Sequence, residues 1–256
     1  MLYKICSVPV CQIRKESSHK TEIISQLVFG ETCLVMGQDN GDWVRIKARY
    51  DGYEGWCQAS QLTDIGEEIY NRITNELTLG WISHVKYNNE VLVVPSGCWL
   101  SSMNGGIADW NGNLVSYRGR TWKISDAKRE EQVIRCLACQ FLNTGYLWGG
   151  KTVFGVDCSG FTQTVFRFLG IPLLRDACQQ AAQGNPVKSL GEASCGDLAF
   201  FDNPEGKITH VGILFSGSEI IHASGKVRVD KIDETGIILP GKPGRSHRLK
   251  MIKRYF

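Results

Sequence analysis

Gly155-Val156-Asp157-Cys158-Ser159-Gly160-Phe161 is the stretch that decides how this chain reads. It follows a glycine-rich aromatic loop, Tyr146-Leu147-Trp148-Gly149-Gly150. From Phe161 the sequence turns apolar at helical spacing through Val165, Phe166 and Leu169, and stops at Gly170. A helix is therefore expected to start at Cys158, with Asp157 as its N-cap. A cysteine there sits at the positive end of a helix dipole, where a thiolate is stabilised and the thiol pKa is expected to fall. Acyl transfer by that thiolate also needs a base. A free cysteine usually behaves as a small buried apolar side chain, so the residues around it must decide.

Five histidines are present, His19, His84, His210, His222 and His247, and only His210 and His222 lie on strong strand patterns after the cysteine. Residues 210–215 and 219–224 read as two strands joined by Ser216-Gly217-Ser218. A three-residue loop sets Phe215 opposite Glu219, Gly212 opposite His222 and His210 opposite Ser224. The two histidines then share a face as diagonal neighbours. A two-residue loop would send them to opposite faces, so a catalytic pairing requires an odd-length connection. The plain alternatives are a strand-edge His210 bonded to a backbone carbonyl and a structural His222 packed between sheet and helix. Nucleophile, base and orienter in working order favour catalysis.

As an ordered set, Asp157-Cys158-Ser159-Gly160-Phe161, Gly196-Asp197-Leu198, His210-Val211-Gly212-Ile213 and His222-Ala223-Ser224 resemble the NlpC/P60 cysteine peptidases, over about residues 125–256. The resemblance implies an α+β fold with a papain-like core that cleaves bacterial cell-wall peptides, with no cofactor and no metal. It implies Cys158 as nucleophile, His210 as general base and then acid, and His222 as an uncharged group orienting His210. The Cys158 backbone N–H and, by the resemblance, the Tyr146 hydroxyl become the oxyanion donors. Arg175-Asp176-Ala177 followed by Gln179-Gln180, behind two small β modules, is similar to the γ-D-glutamyl-L-diamino acid endopeptidases of the YkfC type. That implies a murein tri- or tetrapeptide substrate such as L-Ala-γ-D-Glu-diaminopimelate, and a role in murein recycling. Asp176 would hold the free amino terminus of L-Ala, with the Tyr53 hydroxyl and either Glu16 or Glu22 closing that end. Ala177 stands where some relatives carry serine, which removes one polar contact near the D-Glu.

Three further cleft residues keep two readings each. Asp157 is a substrate contact or only a helix cap, Ser159 a substrate contact or ordinary first-turn chemistry, and Trp148 a cleft wall or core. Two rival functions also stand. One is a noncatalytic cell-wall-binding protein that uses its SH3-like modules; the other is an amidase or acyltransferase with the same Cys-His-His set.

At 256 residues the chain is long enough for more than one domain, and its 43% hydrophobic and 21% charged composition is ordinary for a globular protein. Residues 1–64 alternate short strand patterns with Gly/Asn/Asp turns, including Gln38-Asp39-Asn40-Gly41-Asp42, and their Gly41-Asp42-Trp43-Val44-Arg45-Ile46 and Gly52-Tyr53-Glu54-Gly55-Trp56-Cys57 resemble a bacterial SH3 domain. Residues 65–124 repeat that character more weakly as a second SH3-like barrel. Residues 125–256 form the peptidase domain, with a helix capped by Ser125-Asp126 and running to Gly145, then the Cys158 helix, a third from Asp176 to Gly184, and antiparallel strands.

A net charge of +3 is too small to argue for nucleic acid. The basic residues Lys242, Arg245, Arg248, Lys250, Lys253 and Arg254 read as the solvated face of a terminal strand. No signal core and no membrane span are visible, and ten cysteines without a signal favour a reducing compartment, so a cytoplasmic location is expected. Cys136-x-x-Cys139 sits among Ile134, Leu137, Ala138 and Phe141 at helical spacing, which reads as two buried helix cysteines rather than a metal site.

Overall fold

The structure, a computed structural model, describes residues 1–39, 41–73, 75–238, 241 and 244–256; Asn40 of the expected turn and Lys242 of the basic stretch lie outside the described residues. The chain divides into two compact units, one of Met1–Ala127 with Trp148–Val153, the other of Lys128–Leu147 with Phe154–Phe256.

The first unit opens with β1 (Tyr3–Cys6), β2 (Val10–Arg14), β3 (Ile23–Val28), β4 (Thr32–Gln38), β5 (Trp43–Ala48), β6 (Glu54–Gln58) and β7 (Leu62–Ile65), an SH3-like sheet in the order β3-β2-β6-β5-β4-β1-β7. Strand β5 shows why: Val44, Ile46 and Ala48 alternate inward while Arg45 and Lys47 face water. They meet Cys6, Cys11, Ile13, Leu27, Cys33 and Cys57 in a closed apolar core. After α1 (Glu67–Asn71) come β8 (Glu76–Thr78), β9 (Ile82–Tyr87), β10 (Glu90–Pro95), β11 (Ile107–Trp110), β12 (Asn113–Tyr117) and β13 (Thr121–Lys123), with β10-β9-β12-β11 forming a second, smaller sheet. The two sheets share one core, in which Phe29 packs against the fully buried Trp110 with ring centroids 5.0 Å apart.

Trp148–Val153, which carries β14 (Lys151–Thr152), also belongs to this unit. The Lys151 ammonium meets Glu31 at 3.0 Å with both side chains buried, and the Lys151 N–H donates to Gln26. Although the segment lies within the expected peptidase stretch, residues 125–256, the buried ion pair draws it to the first unit.

The second unit holds α2 (Glu131–Cys139), β15 (Gly155–Val156), α3 (Cys158–Phe168), α4 (Ala177–Ala181), β16 (Asn185–Val187), β17 (Leu198–Asp202), β18 (Ile208–Ser216), β19 (Glu219–Ser224), β20 (Lys226–Asp233), β21 (Gly236–Ile238) and β22 (Arg245–Arg254). Its sheet runs β16-β22-β17-β18-β19-β20-β21, and β21 pairs back onto β22, which closes it. Helix α3 packs on β18 and β19, with every residue from Cys158 to Phe168 buried.

Two helix expectations are corrected. Ser125 and Asp126 form a 3₁₀ turn, and α2 starts only at Glu131, after a charged stretch with no apolar stripe to bury. At its other end the left-handed residue is Asn143, with φ 66°, rather than Gly145. Cys136 is exposed and Cys139 half-buried, because Ile134, Leu137 and Ala138 set the buried face and Cys136 points away from it. Among the described residues, no helix is long and apolar enough to cross a membrane.

Candidate active site

Asp157 caps α3 as expected, accepting from the Gly160 N–H at 2.7 Å. Its carboxylate is also gripped by Arg175, whose guanidinium donates to both oxygens at 3.0 and 2.6 Å. Arg175 Nη1 donates to Ser159 Oγ at 3.0 Å as well, and both ion-pair partners are buried. These bonds place Asp157 and Ser159 as the clamp that fixes the start of the helix. Gln180 tightens it, accepting from Thr162 Oγ1 at 2.7 Å and donating to the Ser159 carbonyl at 3.0 Å.

Cys158 therefore sits at the head of a rigid, buried helix. The expected fall in its pKa does not follow. Burial, and then the Asp157 carboxylate, push the thiol up to about 12, against the opposing pull of the Val211 and Ser159 backbone N–H groups and Arg175. The dipole of one helix start is outweighed by removal of the sulfur from water. The Val211 N–H hydrogen bonds the sulfur, so the strand beside the nucleophile is the one that carries His210.

His210 Nε2 and His222 Nδ1 lie 2.8 Å apart, both rings buried. The register differs from the expected hairpin in an instructive way. Gly212 does oppose His222, but Ser216 rather than Phe215 opposes Glu219, and a bulge between Leu214 and Ser216 absorbs Phe215. A two-residue loop plus one bulged residue restores the odd parity that the pairing needs. Gly212 leaves room for it, since a Cβ there would lie 2.8 Å from His222 Cβ and 2.7 Å from Ile220 Cδ1.

Three residues were missed from sequence. Asp230 Oδ2 lies 2.9 Å from His222 Nε2, so a carboxylate stands behind the orienting histidine, and Arg228 donates to Asp230 Oδ1 at 2.7 Å. The signal was present: in the hairpin register Arg228 opposes His222, and Asp230, two residues on, shares its face. His247, on β22, stacks on His210 with centroids 4.0 Å apart and planes 24° apart. The alternating basic residues of that strand masked it.

Ring nitrogens of His210, His222 and His247 come within 4.8 Å of one another, close enough to consider a metal. A shared ion needs the lone pairs to converge, whereas His210 and His247 present their faces to each other and His210 already bonds His222. A hydrogen bond joins His210 to His222, while His247 stacks on the His210 ring. Burial depresses the pKa of all three rings, His247 to about 4, so the imidazoles are neutral near pH 7.

Tyr146, Thr209, His210, Ser224 and His247 help line a pocket of about 270 Å³. Burial, Cys158 and Asp157 raise the Tyr146 hydroxyl pKa, which keeps its proton available for donation. Asp176 is half-buried at the N-cap of α4, where its backbone N–H donates to Gln179 Oε1 at 3.0 Å. Trp148 and Tyr53 belong to the first unit. Trp148 is 59% exposed, so it is not core, and its indole N–H donates to Glu22 at 2.7 Å. Tyr53 leads into β6, its backbone N–H on Asp51 at 3.0 Å.

Comparison with known proteins agrees with this architecture. The NlpC/P60 family model matches residues 143–238, and that of the bacterial dipeptidyl-peptidase SH3 domain matches residues 13–62. The chain is 31% identical over 216 residues to the γ-D-glutamyl-L-lysine dipeptidyl-peptidase of Bacillus subtilis (strain 168), covering 78% of this chain and 72% of that one. This chain belongs to the NlpC/P60 family. As an NlpC/P60 protein it is a cysteine peptidase. It is also 23% identical to dipeptidyl-peptidase 6 of Lysinibacillus sphaericus, over 83% of this chain and 85% of that protein. A crystal structure of an NlpC/P60 family protein from Bacillus cereus shares the fold, with a TM-score of 0.81 and 19% identity over 99% of both chains.

Proposed function

We propose that this NlpC/P60 peptidase hydrolyses the γ-D-Glu–diamino acid bond of murein peptides that carry a free N-terminal L-Ala, in the recycling of such peptides in the cytoplasm. The observation that carries the reading is the buried Cys158 at the head of α3 beside β18, whose His210 is hydrogen-bonded to His222 on β19. The substrate class is supported by the Bacillus relatives, named γ-D-glutamyl-L-lysine dipeptidyl-peptidases, and by the SH3 type of the first unit.

The resting site holds a neutral thiol and a neutral imidazole. His210 takes the thiol proton as the sulfur attacks the D-Glu side-chain carbonyl. The oxyanion accepts hydrogen bonds from the Cys158 N–H and the Tyr146 hydroxyl. Collapse breaks the C–N bond, the proton passes from His210 to the leaving amine, and water activated by His210 cleaves the thioester. Asp176 supplies the carboxylate for the L-Ala ammonium.

Mass spectrometry of purified protein with L-Ala-γ-D-Glu-diaminopimelate should show release of L-Ala-D-Glu and diaminopimelate. N-acetylation of the substrate removes the charge that Asp176 is assigned to hold, at about 2–5 kcal/mol, or tens to thousands of fold in kcat/KM. Equal kcat/KM for the free and acetylated peptides would refute the Asp176 assignment and the recycling role together.

A further inference from the structure

The two ends of the Asp230 carboxylate are both engaged, and they face different partners. Oδ2 is 2.9 Å from His222 Nε2 and Oδ1 is 2.7 Å from Arg228 Nη2. Its side chain is 8% exposed and that of His222 1%. Burial alone would raise the Asp230 pKa, but Arg228 and His222 overcome it and hold the carboxyl below its ordinary value. Asp230 is therefore an ionised group that can only accept, clamped by a guanidinium that can only donate.

We infer that Asp230, through this clamp, sets the tautomers of both relay histidines and thereby makes His210 a base. The inference rests on the reading of His210 as the general base. An acceptor at His222 Nε2 requires the proton there, which leaves His222 Nδ1 bare. That bare nitrogen lies 2.8 Å from His210 Nε2, which must then carry the proton. Only Nδ1 of His210 remains, unprotonated and free to take the Cys158 proton. The opposite tautomer of His222 would send its Nδ1 proton to His210 Nε2 and require a proton on His210 Nδ1, and the base would be lost. The carboxylate also stabilises, across two rings, the imidazolium formed in the reaction. Asp230 is a positioning residue, acting through His222.

Arg228 provides a test that a merely structural role would not pass. In Asp230→Asn the guanidinium still needs an acceptor and takes the amide oxygen, which turns the NH₂ toward His222 Nε2. The amide then donates where the carboxylate accepted, and both tautomers invert. Asp230→Asn should lower kcat at least ~10²-fold with little change in KM, as expected when a triad histidine is held in the wrong tautomer. Asp230→Asn combined with Arg228→Met frees the amide to turn round, and should recover roughly tenfold or more of the lost kcat. Nitrogen-15 spectra of histidine-labelled protein should show Nε2 protonated on both His210 and His222 in the wild type, and Nδ1 protonated in Asp230→Asn. A wild-type His222 carrying its proton on Nδ1 would overturn the inference without recourse to any variant. So would unchanged tautomers in Asp230→Asn, or no gain from the second substitution. The base reading fails separately: turnover surviving in His210→Ala removes His210 as base whatever the spectra show.

Discussion

Replacing Asp157 by alanine separates its two readings, substrate contact and structural clamp. The Arg175–Asp157 pair is closed at 2.6 Å with side chains 1% and 7% exposed. Removing the carboxylate leaves a buried guanidinium without its counter-charge, which costs about 3–5 kcal/mol. The α3 N-cap is lost as well, for about 1 kcal/mol. The expected destabilisation, about 4–6 kcal/mol, is of the order of a whole domain's stability. Asp157→Asn keeps an acceptor for Gly160 but weakens the charged bonds to Arg175, and should cost about 2–3 kcal/mol.

Hydrogen exchange of the α3 amides reads the stability of that helix directly. Exchange there should accelerate roughly 10³- to 10⁴-fold in Asp157→Ala, taking about 1.4 kcal/mol per factor of ten. Near-wild-type exchange in α3 together with a raised KM would refute the clamp and return Asp157 to the substrate.

Cys158→Ala should lose more than ~10³-fold in kcat while still binding peptide, because the partners act as a unit, and near-normal turnover would end the cysteine mechanism. His210→Ala should be nearly as damaging, whereas His222→Gln should retain more activity, since its amide oxygen can accept from His210 Nε2 and its NH₂ can donate to Asp230; equal losses would remove the orienting role. Gly212→Ala brings a methyl to within 2.8 Å of His222 Cβ, so the pair must separate, and kcat should fall about tenfold or more while the fold survives. Stability should also fall in mild acid. His210, His222 and His247 have folded pKa values below 6.5, so the unfolded chain binds more protons than the folded one between those values and about 6.5. Their contribution is fully present above about pH 6.5 and is lost as pH falls, for His247 down to about 4. Denaturant midpoints measured from pH 7 to 4 should drop, less steeply in His247→Phe.

Local signals carried the parts of this fold that were legible in the sequence. An N-cap, a helical stripe and a terminating glycine at 157–170 need only neighbours along the chain, and α3 starts at Cys158 as read. The pairing of His210 with His222 was legible as a parity requirement, but the means of meeting it was not. A bulge at Phe215 is a tertiary choice, and nothing in Leu214-Phe215-Ser216 marks it. Asp230 escaped because a carboxylate two residues from an arginine on an alternating strand resembles any solvated face. His247 escaped for the same reason on β22. The misplaced start of α2 shows the converse error, where a good cap dipeptide at Ser125-Asp126 preceded residues with nothing to bury.

The thiol pKa is where reasoning from one element failed most, and the failure bears on mechanism. A helix start favours a thiolate by a modest amount when exposed, whereas complete burial of the sulfur and a carboxylate one residue away act in the opposite sense and prevail. A raised thiol pKa and a lowered imidazole pKa favour a neutral resting pair over a preformed thiolate–imidazolium pair. In such a site the proton must move during attack, so catalysis depends on a base with one bare, correctly aimed nitrogen more than on a pre-ionised nucleophile. That requirement gives the buried relay its logic. His210 needs a partner to hold its Nε2 proton, His222 needs an acceptor to stay in the matching tautomer, and Asp230, fixed by Arg228, ends the chain with a group that cannot invert. A thiol protonated at rest also reacts slowly with oxidants and alkylating agents, so Cys158 should be labelled by iodoacetamide far more slowly at pH 7 than at pH 10. Rapid labelling already complete at pH 7 would show a resting thiolate and refute the neutral-pair assignment.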